Sequence, residues 1–385
     1  MLIPDLVRRE LAALEQAGLL RRPRVVEGLG SSQVRIDGRS VVVFCSNDYL
    51  GLSADPRLVA AGHAAIDAHG MGAGASRLVS GTRPAHLGAE RALAELVDMP
   101  ASLLFSSGYA ANVGALSALL DRGDVAFSDR LNHASLIDGL RLSRATVHVY
   151  EHADVEDLER RLRDHRADGR RAWVVSDTVF SMDGDLAPLQ RLRELCDRYD
   201  TGLFLDEAHA LGVLGSGRGL AYHLGVRADA LVGTLGKSAG VAGAFVAGSG
   251  EVRALLENRA RSYVFSTAVP PFLAAILEDA VSIVRGAGEA RARIAEHATM
   301  IRGALVRQGW NAPRGGVTPI IPILVGDPGR AMELSARLLE RGFFVQGIRP
   351  PTVPPGTSRL RLVPTAAHTG EQVAALLGAL AELAS

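Results

Sequence analysis

Phe204-Leu205-Asp206-Glu207-Ala208-His209 and Ala230-Leu231-Val232-Gly233-Thr234-Leu235-Gly236-Lys237 are two apolar runs of strand type, each closed by chemically active side chains. The first ends on an acid and an imidazole, the second on an amine. Lys237 follows Asp206 by 31 positions, the length of a strand, a crossover and a second strand, so both groups can occupy one rim of a parallel sheet. The continuation Ser238-Ala239-Gly240-Val241-Ala242-Gly243 is too rich in glycine for an ordinary helix and lets the backbone approach a ligand. Taken singly, a strand-ending Asp also reads as a helix cap and a lone Lys as a solvated surface group. Together, Asp206, His209 and Lys237 offer a carboxylate for a pyridinium nitrogen, a donor for a phenolic oxygen and a lysine for covalent attachment. Those are the parts that bind and steer pyridoxal phosphate.

Outward from this stretch, helix and strand alternate over residues 58–247. Helices are expected around 57–69, 85–97 and 110–119, and strands at 102–105, 125–128, 146–150, 172–176, 202–205 and 230–234. This is the pattern of an α/β unit with a largely parallel sheet covered by helices. Before it, 34–36 and 41–44 flank Asp37-Gly38, a hairpin signal, and the first twenty residues read as an amphipathic helix with Leu2, Leu6, Leu11 and Leu14 among charges. That charge pattern does not suit a signal peptide. Beyond it, 274–307 reads as two long helices broken near Gly286-Ala287-Gly288. An α+β segment follows, with strands at 320–324, 343–345 and 359–362 and helices at 330–341 and 370–383. The expected organisation is an N-terminal segment 1–50, a large domain 51–285 and a small C-terminal domain 286–385.

Composition narrows the function. Among 385 residues, Lys plus Arg and Asp plus Glu both total 42, so no basic excess advertises nucleic acid. Cys45 and Cys196 are far apart and each lies in an apolar segment, which suits reduced buried thiols and a cytoplasmic protein. No run reaches the roughly 20 apolar residues of a membrane span.

Four further segments carry suitable chemistry. Ser106-Ser107-Gly108-Tyr109 leads from a strand into a helix, where backbone amides favour a phosphate, or else it is a plain capped turn. Asn132-His133-Ala134-Ser135 can lay an imidazole over a planar ring, or place a capping histidine. Ser181 lies in a polar turn, Thr178 to Asp185, where it can bond a cofactor oxygen, and Arg349 precedes the stiff Pro350-Pro351 pair, where it can hold a carboxylate. Each of these also reads as a loop residue or a surface ion pair. Gly70-Met71-Gly72-Ala73-Gly74-Ala75 matches a degenerate dinucleotide fingerprint, but it follows a helix instead of a strand and is set aside. The histidines show no paired helical spacing and no cysteine neighbour, so no metal is expected.

These segments, together with Ser46-Asn47-Asp48-Tyr49-Leu50-Gly51-Leu52, Phe180-Ser181-Met182-Asp183-Gly184 and Arg349-Pro350-Pro351-Thr352-Val353-Pro354, resemble the α-oxoamine synthases, a family of fold-type-I pyridoxal phosphate enzymes. The last segment, continuing through Arg359-Leu360-Arg361, resembles the branch that serves biotin synthesis. The resemblance implies a fold-type-I transferase with a mostly parallel seven-stranded sheet and a smaller α+β C-terminal domain. It implies that Lys237 holds the cofactor, Asp206 pairs with its ring nitrogen, His133 stacks on the ring, and Ser181 and His209 contact its oxygens. Gly108, Tyr109 and Thr234 would bind the phosphate, joined by Ser266 and Thr267 from the second subunit of a homodimer. Asn47 and Arg349 would grip an amino-acid carboxylate, and Arg21 and Thr352 the acyl substrate. The implied reaction is a decarboxylative condensation of L-alanine with a pimeloyl thioester carried by coenzyme A or acyl carrier protein. Sibling acyltransferases using glycine or serine, and an aminotransferase sharing Asp206 and Lys237, are the alternatives. A non-enzymatic cofactor-binding protein would need an attached partner-binding module, and no shift in composition marks one.

Overall fold

The computed structural model describes residues 3–28, 30 and 32–384, so Met1 and Leu2 of the expected first helix lie outside it. The chain divides into two compact units, Asp48–Ser181 with Asp185–Arg291, and Met1–Asn47 with Met182–Gly184 and Ala292–Ser385.

The larger unit is built on a seven-stranded sheet. Its spatial order is Ala101–Phe105, Ala244–Gly248, Ala230–Thr234, Gly202–Asp206, Ala172–Asp177, Val125–Asp129 and Thr146–Tyr150. Every pairing is parallel except those of Ala244–Gly248, which runs antiparallel to both neighbours. Parallel strands are buried on both faces, and Leu203, Phe204, Leu205 and Val232 are accordingly inaccessible to solvent. Each such side chain contributes roughly 1.5–3 kcal/mol of burial. The strand Ala244–Gly248 lacks the polar–apolar alternation that identifies a strand locally. Its direction is set by the tight loop before it, in which Leu235 N–H bonds Gly243 O (2.9 Å), Val241 N–H bonds Leu235 O (3.0 Å) and Gly240 N–H bonds Lys237 O (3.0 Å). Gly240 has φ 68° and lies so close to the Leu52 backbone that a Cβ would collide with it. The glycine-rich run therefore fastens Lys237 into a closed loop.

In the smaller unit the expected hairpin forms as Gln33–Ile36 with Arg39–Val43, and Phe343–Phe344 adds to it in parallel, pairing Phe343 with Val42. The N-terminal segment thus shares a sheet with residues 300 positions later, a pairing no local pattern announces. A second sheet orders Ile321–Gly326, Ser358–Leu362 and Gln346–Ile348. The two long helices appear as Pro271–Gly286 and Gly288–Arg307, divided between the units.

A buried histidine makes the smaller unit acid-sensitive. His368 Nε2 donates to Val43 O (3.0 Å), its Nδ1 accepts from Thr365 N (2.9 Å), and its ring stacks on Phe44 with centroids 4.0 Å apart. Burial pulls its pKa down to about 4. Because the folded value lies below the unfolded one of about 6.5, the unfolded chain binds the proton first as pH falls. Stability present above pH 6.5 is expected to be lost toward pH 4, by about 3 kcal/mol from this group. Urea titrations across that window check it: the acid limb should flatten in His368→Gln, and an unchanged slope would remove His368 as the cause.

Candidate active site

The parallel strands end together. Asp177 and Asp206 are register partners at the carboxyl ends of neighbouring strands, with Val232 beside Asp206 on the next. This is where open α/β sheets bind ligands. The Asp206 carboxylate is buried; Oδ1 accepts from Ala208 N (2.8 Å) and Oδ2 from Asn112 Nδ2 (2.6 Å).

Lys237 and His209 meet directly, with Nζ 2.9 Å from Nε2. On the far side of that ring, Nδ1 lies 2.6 Å from Tyr49 Oη. A lysine ammonium donates to Nε2, which assigns the ring proton to Nδ1 and to a bond with Tyr49. The result is a row of amine, imidazole and phenol in which Tyr49 is wholly buried.

His133 caps the helix Ala134–Ser143: its Nδ1 accepts from Ser135 N (3.3 Å) and lies 2.7 Å from Ser135 Oγ. The capping and ring-facing readings of this residue are therefore compatible. Burial lowers its pKa, partly offset by the Asp206 charge. Its backbone N–H donates to Asp177 Oδ2 (2.7 Å), and burial together with the Asp206 charge pushes the Asp177 carboxyl well up. Glu207, also buried, accepts from Leu220 N (2.9 Å), Ala221 N (2.7 Å) and Thr178 Oγ1 (3.2 Å), with burial raising it to about 7. It fastens structure behind the rim.

The helix Gly108–Leu119 starts at Ser107, whose side chain caps Ala110 N (3.1 Å). The amides of Gly108 and Tyr109 fall in its first turn, where no intrahelical acceptor exists. Tyr109 Oη donates to Asp138, and a Cβ on Gly108 would sit 3.7 Å from Thr234 Oγ1, so Thr234 adjoins the helix start. Ser266 and Thr267 line a cleft of the same unit with Arg77, Ser106 and Tyr263. Ser181 is half-buried at the end of this unit's chain segment, after Phe180, which lies edge-on to His152.

The remaining expected residues belong to the smaller unit. Arg21 Nη2 donates to Thr352 Oγ1 (2.8 Å), while Arg349 donates through Nη2 to Leu20 O (3.0 Å) and through Nη1 to Met332 Sδ (2.9 Å). Arg349 therefore joins Arg21 and Thr352. Asn47 Oδ1 instead accepts from Arg361 Nη2 (3.0 Å).

Sequence reading gave no role to Asn112, Tyr49, Ser135, Asp177 or Arg361. Asn112 carried a usable signal, a lone amide inside the apolar helix segment Ala110-Ala111-Asn112-Val113-Gly114-Ala115-Leu116. Spacing also missed His148, His165 and Asp168, which place donor atoms within 4.8 Å of one another. The two imidazoles stack at 4.0 Å with planes 11° apart, so an ion in the plane of one ring lies well out of the plane of the other. Among the described residues no helix is long and apolar enough to cross a membrane.

A buried carboxylate held by two N–H donors, an amine against a buried imidazole, a second imidazole capping a neighbouring helix and a helix start beside a threonine form a donor set that fits pyridoxal phosphate. With that geometry in place, the family model for class I and II aminotransferases matches residues 39–380, and the chain belongs to that family of pyridoxal phosphate-dependent enzymes. A relative from Geobacter sulfurreducens named 8-amino-7-oxononanoate synthase is 49% identical, with 97% of this chain and 96% of that protein covered. Among solved structures, serine palmitoyltransferase from Sphingomonas wittichii matches with TM-score 0.92 and 33% identity, covering 99% of this chain and 96% of that one. A structure of an SPT with PLP matches with TM-score 0.91 and 30% identity, over 98% and 96%. The chain groups with the 8-amino-7-oxononanoate synthase branch of the family.

Proposed function

We propose that this enzyme makes 8-amino-7-oxononanoate from L-alanine and a pimeloyl thioester, releasing carbon dioxide and the thiol carrier, coenzyme A or acyl carrier protein. It is an acyltransferase of biotin synthesis. A carbon–carbon bond forms between alanine Cα and the acyl carbonyl while the thioester carbon–sulfur bond and the alanine carboxylate bond break. Pyridoxal phosphate, when bound, supplies an electron sink for charge that develops at Cα.

The observation that carries the reading is the contact of Lys237 Nζ with His209 Nε2 at 2.9 Å, on the rim that also presents Asp206. Lys237 attaches the cofactor and, as a free amine, takes the Cα proton of alanine. His209, backed by Tyr49, aims that amine and faces the ring oxygen with Ser181. Asp206 would answer the ring nitrogen, and His133 would meet the ring face. Gly108, Tyr109 and Thr234 hold the phosphate. Asn47, with Arg361 bonded to it, receives the alanine carboxylate. Arg349 serves the same carboxylate, and Arg21 and Thr352, bonded to each other, meet the acyl substrate.

Ser266 and Thr267 reach the phosphate from a second copy of the chain in a homodimer. Support comes from Val79 and Phe265, 79% and 70% exposed beside the Ser76–Thr267 bridge, large apolar groups that association would cover.

The test is free-thiol release from pimeloyl-CoA by the cofactor-loaded protein, with and without L-alanine. Release that needs alanine and that glycine or serine cannot replace is the expected result. Conversion of the cofactor to its amino form by alanine alone, with no thiol released, would favour an aminotransferase instead.

A further inference from the structure

Asn112 is 1% exposed on the helix Gly108–Leu119, and its Nδ2 donates both to Asp206 Oδ2 (2.6 Å) and to Ser135 Oγ (2.9 Å). Having accepted that bond, the Ser135 hydroxyl has its own proton to give, and His133 Nδ1 lies 2.7 Å away. The same nitrogen receives Ser135 N–H at 3.3 Å. Nδ1 is thus an acceptor twice over, and the proton of the neutral ring is on Nε2. The amide's orientation follows from its neighbours, because turning Oδ1 to Asp206 would set acceptor against acceptor. The fold leaves Asn112 Oδ1 buried without a partner. A buried amide that leaves its oxygen unpaired is retained for its N–H groups.

We propose that Asn112 is a positioning residue: it orients the Asp206 carboxylate and, through Ser135, fixes the Nε2–H tautomer of His133. The two side chains that meet the cofactor ring are then set by one amide before anything binds. The inference rests on the pyridoxal phosphate reading above. The charges acting on His133 are those of Asp206, Lys237 and Asp138, and none of them supplies a donor to Nδ1. The tautomer is therefore decided by Ser135, chiefly by its hydroxyl, which Asn112 aims at Nδ1, while the longer backbone N–H bond is fixed by the helix start.

The experiment compares full-length holoenzymes carrying Asn112→Ala, Asn112→Asp and Ser135→Ala with the parent. Cofactor dissociation is followed by visible absorbance on dilution, and the His133 tautomer by nitrogen NMR of histidine-labelled protein. Both Asn112 variants are expected to weaken cofactor retention by about tenfold or more, since each loses a donor to a buried carboxylate. Asn112→Asp keeps the side-chain shape, so its loss would not be one of packing. Ser135→Ala should leave retention within about threefold while letting the Nδ1–H form of His133 appear. Parent-like retention in both Asn112 variants, or an unchanged His133 tautomer in Ser135→Ala, would overturn the proposal. Should the parent itself retain no pyridoxal phosphate, the cofactor reading fails, and the tautomer measurement still decides the relay on its own.

Discussion

Replacing Lys237 by alanine is expected to lower turnover by at least about 10⁴-fold, because two contributions vanish together: covalent attachment of the cofactor and the base at Cα, the latter worth about 10²–10⁴ by itself. The surroundings give the lysine no understudy. Nζ is held 2.9 Å from His209 Nε2, and the loop from Leu235 to Gly243 is closed on itself by three backbone bonds, so another amine cannot be drawn into its place by a small shift. The fold itself should survive, since the contacts that fix the loop are made by backbone atoms and by Gly240 against Leu52. Thiol release and carbon dioxide evolution from alanine and pimeloyl-CoA measure the effect, with a thermal melt as the control. Ordinary turnover in the alanine variant would defeat the assignment of the site.

Asp206→Asn should cost about 10²–10³ in turnover, the range seen when one preorganised electrostatic group is removed from a water-excluded site. The substitution keeps the shape, and the amide oxygen can still accept from Asn112 or from Ala208. What it loses is the negative charge at the strand end, which is what a pyridinium nitrogen requires. The same loss removes a charge acting on both His133 and Asp177. Steady-state kinetics separate the outcomes: a fall in kcat with the alanine KM little changed identifies a role in the chemical steps, whereas a shift confined to KM would place Asp206 in substrate binding alone.

Much of this site is legible in the sequence. Asp206, His209 and Lys237 stand at the ends of apolar runs, and a strand in a parallel sheet delivers the residue after it to the carboxyl rim, so local pattern alone places them. Ser107 and Gly108 open a helix for the same kind of reason. Arg349 shows the limit of such reading. The Pro350-Pro351 pair makes it look fixed, but the sequence carries no sign of its bonds to Leu20 and Met332, or that Arg361 would be the guanidinium at Asn47. The strand Ala244–Gly248 escapes such reading because small apolar residues after a glycine-rich loop have no period to detect.

By itself, then, the sequence determined six of the seven strands of the large sheet, the alternation that makes an α/β unit, and the acid, imidazole and amine that close two of those strands, since each depends on neighbours only a few positions away. Tertiary structure alone decided the antiparallel seventh strand, the shared sheet of Arg39–Val43 with Phe343–Phe344, and the side-chain pairs Asn112–Asp206, Tyr49–His209 and Asn47–Arg361. Those partners are about 90 to 310 positions apart along the chain. Such pairs are set by how whole elements pack, and no periodicity in the chain encodes which amide will face which carboxylate.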